Sequence, residues 1–178
     1  MSRRFRILWT FLRAFFRTKI TALDESLMTI RVCFSEIDVR RLNHSLFTFY
    51  GEVARLDFMI RCRLVGWMWK EKAYTVIASE SIRYLKPVQL FQKLTVRTKL
   101  ICWDEKWMYA HHIFEGEEGV VAVMILKGLF TGPKGIIPTS DVLKAIQLPP
   151  ESPKFPSMIR EWQASETAMV VGLVKKNF

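Results

Sequence analysis

The chain has 178 residues, half of them hydrophobic, which suits one domain with a sizeable core and leaves too little for two. Its formal charge of +10 and pI of about 9.8 favour an anionic partner, and nucleic acid, an anionic membrane and a polyanionic cofactor are the physical candidates. The three cysteines have no close spacing and leave one odd thiol, which argues against a disulfide framework and a zinc cluster and favours a cytosolic setting.

Residues 1–22 are predicted to form a basic amphipathic helix. Polar side chains recur every three or four residues along one stripe, and apolar side chains fill the rest of its surface. Residues 3–19 hold six basic residues and no acidic one. Arg13 interrupts the apolar stretch, so no run approaches the roughly 20 residues of a membrane-spanning helix, and no secretory cleavage site follows. The pattern fits contact of residues 3–19 with an anionic membrane; packing of the apolar face on the domain or on a second subunit is the alternative, and nucleic acid is the least favoured partner.

Residues 23–148 are predicted to form the main domain, which begins with a strand and a long helix. Alternating side chains over residues 26–34 predict the strand. The helix that follows ends near Arg61 and is apolar on nearly all sides, so the rest of the domain must enclose it. The connection after Gly66 is rich in Trp and Lys and is interpreted as a loop or short edge segment.

Four further runs of β-branched and aromatic residues predict an antiparallel sheet around this helix. They are residues 73–85, 94–103, 106–114 and 120–131. The last two are predicted to form a hairpin around residues 116–119, and the sheet is predicted to end at residues 132–135. The fold class is therefore α+β, with one long helix wrapped by five or six antiparallel strands.

Residues 149–178 are predicted to form a C-terminal extension. A short helix from Thr139 or Ser140 to about Ile146 closes the main domain. Four prolines between residues 149 and 156 then indicate an extended linker. A second short helix over about residues 157–166 is predicted to pack on the domain.

The best catalytic candidate among the polar residues lies just before the central helix. Asp38 lies just ahead of the helix start, where a carboxylate can act as a general base or a nucleophile. The free backbone N–H groups and the dipole of the helix can stabilise negative charge on a substrate oxygen. The alternative is that Asp38 only caps a turn or the helix start, as short polar residues do in many proteins.

Three short segments carry a resemblance to a known family. Residues 36–38 (EID), residues 42–45 (LNHS) and residues 54–57 of the helix (ARLD) resemble the strand, turn and central helix of hotdog-fold thioesterases of the 4-hydroxybenzoyl-CoA thioesterase type, in the thioesterase-like branch. Residues 94–138 are also similar to that branch, and the resemblance covers roughly residues 5–165. The turn diverges, because the family has Gly-His or Leu-His followed by Asn-Asn where this chain has RLNHS.

This resemblance implies an acyl-CoA thioesterase, which hydrolyses an acyl thioester to the free acid and coenzyme A. It implies Asp38 as the catalytic base or nucleophile and an oxyanion site at backbone N–H groups near residues 44–46. His44 is a further catalytic candidate, because it could stand in for the polar groups that the motif lacks. The candidate oxyanion and substrate-binding residues are Asn43, Ser45, Leu46 and Phe47.

The resemblance also implies an oligomer, since the family's site lies at a subunit interface. A homodimer or homotetramer is expected, with the acyl chain between the helix and the partner's sheet. No cofactor is implied beyond the coenzyme A moiety of the substrate, and the predicted location is cytoplasmic or peripheral on the inner face of a membrane. The rival hypothesis is a catalytically inactive hotdog protein that binds an acyl thioester, a lipid or a protein partner at a membrane.

Glu52 is a second candidate catalytic carboxylate, because some hotdog thioesterases carry their base on the central helix. A carboxylate on so apolar a helix needs a partner or a proton. An ion pair with Arg55, three residues further on, is the favoured explanation. The candidates for the phosphates of coenzyme A are Arg83, Lys86, Arg97 and Lys99.

Other enzyme classes find no support in the sequence. His111 and His112 are adjacent in a predicted strand, so they point to opposite faces and cannot bind one metal ion together; no metal site is predicted. The sequence contains no Gly-x-Ser-x-Gly, no nucleotide-binding glycine loop and no His-x-x-x-His. Serine hydrolases, NTPases and zinc proteases are therefore not indicated.

Overall fold

The computed structural model describes residues 3–38 and 40–174. Within those ranges the chain forms five α-helices and eight strands. The helices are α1 (Arg3–Phe15), α2 (Ser45–Arg61), α3 (Leu64–Glu71), α4 (Thr139–Ala145) and α5 (Ser157–Val174). The strands are β1 (Ser26–Arg31), β2 (Ile37–Asp38), β3 (Arg41–Leu42), β4 (Tyr74–Tyr84), β5 (Lys93–Trp103), β6 (Met108–Gly116), β7 (Gly119–Gly132) and β8 (Gly135–Ile137).

Six strands form one antiparallel sheet, and the other two form a small hairpin. The order in the main sheet is β1-β5-β6-β7-β4, with β8 paired to the end of β7. Strands β6 and β7 form the hairpin that the glycines predicted, and Gly116 pairs with Gly119 at its turn. Helix α2 packs across the sheet, and of the strands it contacts β5 and β1 most extensively. This is the predicted arrangement of one long helix and five or six antiparallel strands.

Helix α2 is enclosed because its apolar residues meet the inner face of the sheet. Tyr50 and Val53 are almost completely buried and share one core cluster with Phe114 of β6. Gly51 allows the close approach, because a Cβ atom there would stand 3.2 Å from the ring of His112. The prediction that this helix forms the core is confirmed.

Helix α1 packs on α2 with part of its basic stripe facing inward. Arg6 is buried and donates to Glu36 at 2.7 Å. Arg17, just beyond the helix, donates to both carboxylate oxygens of Asp57 at 2.9 and 2.8 Å. The apolar residues of this segment that are 42% to 91% exposed are Phe5, Ile7, Leu8, Trp9, Leu12, Phe15 and Phe16. The alternative in which the apolar face packs on the helix's own domain is therefore wrong.

The two edge strands of the main sheet differ in accessibility. Along β1, Arg17 donates to the Leu27 carbonyl at 2.6 Å and Arg6 donates to the Arg31 carbonyl at 3.4 Å. The N-terminal segment therefore occupies backbone groups of that edge. At the opposite edge, β4 pairs only with β7 within the described residues. Strand β4 is the long edge left open to another chain.

The segment around Gly66 departs most from the prediction. It belongs to α3 and is neither a loop nor an edge segment. Arg63 adopts a left-handed conformation (φ 64°), which separates α3 from α2. Leu64 and Trp67 lie three residues apart and pack in one core cluster, where the Trp67 ring contacts the ring of Phe130 at 5.8 Å between centroids. This helical spacing of apolar residues is the signal that the Trp- and Lys-rich composition concealed.

Three smaller differences concern element ends. Strand β1 ends at Arg31, before the predicted end at residue 34. Strand β8 continues the sheet beyond Gly132, where the prediction ended it. Helix α5 reaches Val174, beyond the predicted end at about residue 166. The domain boundaries at residues 22 and 148 stay predictions.

Candidate active site

Asp38 lies at the end of β2, in the hairpin that leads directly into α2. The base of this hairpin is held by backbone hydrogen bonds: the Leu42 N–H donates to the Val88 carbonyl at 2.8 Å, and the Asn43 N–H donates to the Glu36 carbonyl at 3.0 Å. The Asp38 side chain is exposed. The structure therefore places an accessible carboxylate on a hairpin that is anchored at the N-terminal end of the central helix.

Most backbone N–H groups in the first turn of α2 already have acceptors. The side-chain oxygen of Asn43 accepts from the Ser45 N–H at 2.9 Å, so Asn43 caps the helix. The Leu46 N–H donates to the Asn43 carbonyl at 3.0 Å, and the Phe47 N–H donates to the His44 carbonyl at 3.1 Å. The His44 N–H has no acceptor within residues 3–38 and 40–174. Among the backbone donors predicted for the oxyanion site, it is the one that this part of the chain leaves free.

Two of the candidate binding residues have buried side chains, and two have exposed ones. Leu46 and Phe47 are buried in the core, and the Phe47 ring packs edge-on against Phe114 with 5.2 Å between centroids. His44 and Ser45 are exposed. Leu46 and Phe47 therefore stabilise the helix start from inside, and the side chains that can meet a substrate are those of His44 and Ser45.

Strand β4 lies beside the start of α2. The Tyr84 hydroxyl donates to the His44 carbonyl at 3.4 Å, and its ring packs edge-on against Phe47 with 5.3 Å between centroids. About one helical turn further on, the Thr48 hydroxyl donates to the Glu80 carboxylate at 3.2 Å. The N-terminal half of α2 thus runs along the open edge strand of the sheet.

The predicted ion pair between Glu52 and Arg55 is wrong. Glu52 is exposed, and no ion pair within 4.0 Å joins it to another residue in the described chain. Arg55 instead lines a cavity between α2 and the sheet. Burial lowers the pKa of Arg55, and the Glu52 and Glu80 carboxylates partly oppose that effect. The catalytic role of Glu52 stays a prediction.

The four basic residues predicted to bind the phosphates of coenzyme A do not form one cluster. Arg83 lies on β4 and Lys86 follows that strand, whereas Arg97 and Lys99 lie on β5. Strands β6 and β7 separate β4 from β5 in the sheet. At the spacing of neighbouring strands, the two pairs are about 14 Å apart. Arg83 and Lys86 share the β4 side of the molecule with the start of α2.

Arg97 already has two anionic partners. Its guanidinium is 3.0 Å from Glu25 and 2.8 Å from Glu115. The hydrogen bonds with Glu25 and Glu115 raise the pKa of Arg97, and the bond with Glu25 has the larger effect. A phosphate group would have to displace two carboxylates there. Arg97 is therefore the weakest of the four candidates.

His112 is a buried polar residue beneath α2. It is completely buried, and its Nδ1 lies 2.8 Å from the Thr98 hydroxyl oxygen. Its Nε2 has no hydrogen-bond partner in the described chain. Burial lowers the pKa of His112 to about 3, and the positive charges of Arg55 and His111 act in the same direction.

The buried His112 predicts a loss of stability in acid. Its pKa is about 3 in the folded protein against an ordinary value of 6.5, so below pH 6.5 only the unfolded chain takes up the proton. His112 therefore lowers the free energy of unfolding only below pH 6.5. Between pH 6 and 4 this loss amounts to about 1.4 kcal/mol per pH unit. Between pH 6 and 5, urea unfolding should show a fall in the free energy of unfolding that is larger in the wild type than in His112→Gln by about 1.4 kcal/mol. Identical slopes for wild type and His112→Gln would contradict the prediction.

Arg6 and Glu36 form a buried ion pair next to the hairpin. The two side chains are each 7% exposed and lie 2.7 Å apart. Glu36 also accepts from the Cys33 N–H at 2.7 Å, and the Arg6 guanidinium lies 5.4 Å from the centre of the Tyr50 ring. The pair ties α1 to the residues immediately before Asp38. This pair could not be predicted, because nothing in the local pattern links two positions so far apart in the chain.

The described residues show neither a metal cluster nor a spanning helix. No group of three or more metal-ligating side chains in residues 3–38 and 40–174 could hold a metal ion. In the same ranges, no helix combines the length and the apolar character needed to cross a bilayer. All three cysteines are free thiols.

The long helix, the sheet around it and the hairpin at its start define a class of protein, the hotdog-fold thioesterase-like domains. Residues 32–163 match the family described as the thioesterase-like superfamily. That match covers most of the chain, and the chain belongs to the thioesterase-like superfamily.

Curated relatives are similar over part of their length. Protein THEM6 of Xenopus laevis is 27% identical over 123 residues, which are 68% of this chain and 58% of that protein. A probable thioesterase of Saccharomyces cerevisiae is 38% identical over 52 residues, which are 29% of this chain and 23% of that protein. The chain thus spans less than two thirds of the length of these relatives.

Solved structures share the fold at low sequence identity. YbaW, a probable thioesterase from Escherichia coli, has a TM-score of 0.64 and 21% identity, and the match covers 68% of this chain and 96% of that one. A mutant of 4-hydroxybenzoyl-CoA thioesterase complexed with 4-hydroxybenzoyl-CoA has a TM-score of 0.62 and 16% identity, over 68% of this chain and 98% of that one. These similarities confirm the predicted fold class.

Proposed function

We propose that the protein is an acyl-CoA thioesterase that hydrolyses an acyl thioester to a free acid and coenzyme A. The observation that carries the proposal is the exposed Asp38 carboxylate, on the hairpin that leads into α2. At the start of that helix, the His44 N–H has no acceptor within the described chain. Membership of the thioesterase-like superfamily supports the reaction class.

In the proposed reaction, Asp38 removes a proton from a water molecule while the water oxygen attacks the thioester carbonyl carbon. The carbonyl oxygen takes up the negative charge and accepts a hydrogen bond from the His44 N–H, at the positive end of the α2 dipole. Collapse of the tetrahedral intermediate breaks the C–S bond, and the proton on Asp38 passes to the leaving thiolate. If Asp38 attacks directly, a mixed anhydride forms with loss of the thiolate, and water then cleaves it to the same products.

The test is release of the coenzyme A thiol from a panel of aryl, medium-chain and long-chain acyl-CoAs. Turnover by the purified protein that is lost in Asp38→Asn supports the thioesterase. Turnover no greater than that of Asp38→Asn across the whole panel favours the rival, an inactive hotdog protein that binds an acyl thioester, a lipid or a protein partner.

The proposed enzyme is a homodimer that pairs through β4. That strand is an open edge, and its Tyr84 contacts His44 at the start of α2. A second copy of β4 added antiparallel to it would continue the sheet and bury both edges. It would also bring the partner's sheet alongside α2, where the acyl chain is expected. A homotetramer would be two such dimers.

Arg83 and Lys86 are the better candidates for the phosphates of coenzyme A, because they lie on the same side of the molecule as the start of α2.

The proposed membrane contact is made by the outward face of α1. The ion pairs of Arg6 and Arg17 hold these two residues on the domain, so the apolar face cannot turn inward without breaking them. Arg4, Arg13 and Lys19 remain exposed at its margins, where anionic lipid would attract them. This contact would hold a cytoplasmic protein on the inner face of a membrane, near long-chain substrates.

Replacing Trp9 and Phe16 together by serine should weaken binding to phosphatidylcholine–phosphatidylserine vesicles at least about tenfold. These side chains are 54% and 91% exposed, and their insertion into lipid contributes about 1.5 to 3 kcal/mol each. Co-sedimentation with the vesicles measures the binding. The matched control is Trp69→Ser, which removes an 87% exposed Trp from α3 and should bind as the wild type does. Unchanged vesicle binding of the double variant contradicts the proposal. If that variant also forms a smaller oligomer than the wild type, the outward face of α1 contacts a second subunit instead of a membrane.

A further inference from the structure

A groove lies where α1 passes over α2 and the edge strand β1. Its volume is about 290 Å³. A cavity needs roughly 10 to 15 Å³ for each water-sized group, so this groove has room for about 20 non-hydrogen atoms. The charged residues of its lining are Arg6, Arg13, Arg17, Arg31 and Asp57. Four arginines therefore share this space with a single carboxylate.

The carboxylates next to the groove balance only part of this charge. Asp57 lies 2.8 Å from Arg17 and 3.6 Å from Arg61, so one carboxylate serves two guanidinium groups. Glu36 lies 2.7 Å from Arg6 and balances that arginine alone. Two carboxylates thus face three arginines before the other two arginines of the lining are considered.

Arg13 and Arg31 are the arginines of the lining that have no carboxylate partner. Both are exposed, and neither forms an ion pair within 4.0 Å in residues 3–38 and 40–174. With them, five arginines stand against two carboxylates, a formal excess of three positive charges. Nε of the buried Arg6 also has no hydrogen-bond partner in the described chain. This excess favours an anion with more than one negative charge.

A phosphomonoester has the charge and the acceptors that the groove favours. It carries about −1.5 to −2 charges near pH 7 and has three strong acceptor oxygens. Guanidinium groups bind phosphate through two parallel hydrogen bonds. Thr10, in the same lining, supplies a hydroxyl that can donate to a further oxygen. A ligand with a single negative charge would leave most of the excess unbalanced.

Trp9 connects the groove with the outward face of α1. It belongs to the lining of the groove, and its side chain is 54% exposed. A phosphate in the groove could therefore carry a hydrocarbon chain that leaves past Trp9 along the exposed apolar residues of α1. Phosphatidic acid has this construction, and glycerol 3-phosphate offers the same phosphomonoester in soluble form.

We propose that this groove is a binding site for a phosphomonoester, with its phosphate on Arg13 and Arg31 and the rest of the ligand beside Trp9. Asp38 is not part of the lining, so occupation of the groove does not depend on thioester hydrolysis. Binding of a lipid form rests on the proposed membrane contact of α1, whereas binding of a soluble form does not.

The first arm of the test is NMR titration of the full-length protein with glycerol 3-phosphate at pH 7, in about 0.15 M NaCl to screen exposed charges. The wild type should bind with a Kd of roughly 1 mM, and uncharged glycerol should bind at least about tenfold more weakly. Arg13→Met combined with Arg31→Met should weaken glycerol 3-phosphate binding at least about tenfold. Lys70→Met combined with Arg160→Met removes the same charge at exposed positions outside the groove and should bind as the wild type does.

The second arm is co-sedimentation with vesicles of phosphatidylcholine that contain either phosphatidic acid or phosphatidylserine at equal surface charge. The phosphate of phosphatidylserine is a diester, so these vesicles match the charge without a phosphomonoester. A preference of at least about tenfold for phosphatidic acid, lost in the double arginine variant, assigns the groove to a lipid headgroup. Equal binding to both vesicles, with glycerol 3-phosphate still bound, assigns it to a soluble phosphomonoester.

A further variant changes the space in the groove and leaves its charge intact. Thr10→Phe places a bulky ring in the lining and should weaken glycerol 3-phosphate binding at least about tenfold. Asp38→Asn should bind as the wild type does, which separates this site from the proposed hydrolysis. The proposal is overturned if the wild type shows neither glycerol 3-phosphate binding at 20-fold the expected Kd nor a preference for phosphatidic acid. It is also overturned if the double arginine variant or Thr10→Phe binds normally, or if the charge-matched control loses binding equally.

Discussion

In the Asp38→Asn variant, acyl-CoA hydrolysis should fall by about 100- to 10,000-fold, the usual contribution of a positioned acid or base. The amide keeps the size and polarity of the carboxylate, but it can neither take a proton from water nor attack the carbonyl carbon. Asp38 is exposed and lies at the end of a two-residue strand, so the substitution should leave the fold unchanged. The loss should therefore appear in kcat, with KM close to the wild-type value, when thiol release is followed at saturating substrate.

Two further variants sharpen this test. Asp141→Asn makes the same chemical change at an exposed position in the first turn of α4 and should keep the wild-type rate. Glu52→Gln examines the other candidate carboxylate. A large loss in Glu52→Gln with full activity in Asp38→Asn would move the base onto α2, and full activity in both would contradict a carboxylate mechanism at either position.

The Glu36→Gln variant should lower the free energy of unfolding by about 3 to 5 kcal/mol. Both members of the Arg6–Glu36 pair are buried, so neutralising Glu36 leaves the Arg6 guanidinium in the interior without a counter-charge. The change also weakens the hydrogen bond that Glu36 accepts from the Cys33 N–H. Urea unfolding followed by circular dichroism at pH 7 measures the loss.

A double variant and an exposed pair provide the controls for this prediction. Arg6→Met combined with Glu36→Gln removes both charges and should recover much of the stability lost in Glu36→Gln alone. Lys144→Met breaks the ion pair of Lys144 with Asp141, whose side chains are 79% and 52% exposed, and should have no measurable effect. A loss below about 1 kcal/mol in Glu36→Gln would contradict the role given to the buried pair.

Most of the sheet and the central helix could be predicted because their signals are local. Runs of β-branched and aromatic residues predicted β4 to β7, and a helix apolar on nearly all sides had to be α2. The orientation of α1 could not be predicted in this way. Its periodicity shows which stripe is apolar, but which stripe faces the domain depends on Glu36 and Asp57, the distant partners of Arg6 and Arg17.

The candidate site also combines features that the local sequence predicts with features that depend on contacts in the folded protein. The order of residues along the chain was enough to put Asp38 ahead of the helix. The Asn43 side chain accepts a hydrogen bond from the Ser45 N–H, and this contact leaves the His44 N–H as the free donor. Such a contact cannot be predicted from the order of residues. Spacing alone predicted that Glu52 pairs with Arg55, but Arg55 lines the cavity under α2 instead.

A crystal structure of the Asp38→Asn variant with a bound acyl-CoA would show whether the thioester lies at the start of α2. We expect the thioester carbonyl carbon within about 3.5 Å of the side chain at position 38 and its oxygen about 3 Å from the His44 nitrogen. We also expect the acyl chain between α2 and a second copy that is paired along β4. A thioester bound away from the start of α2, or bound there by a protein whose β4 edge has no partner, would contradict these expectations.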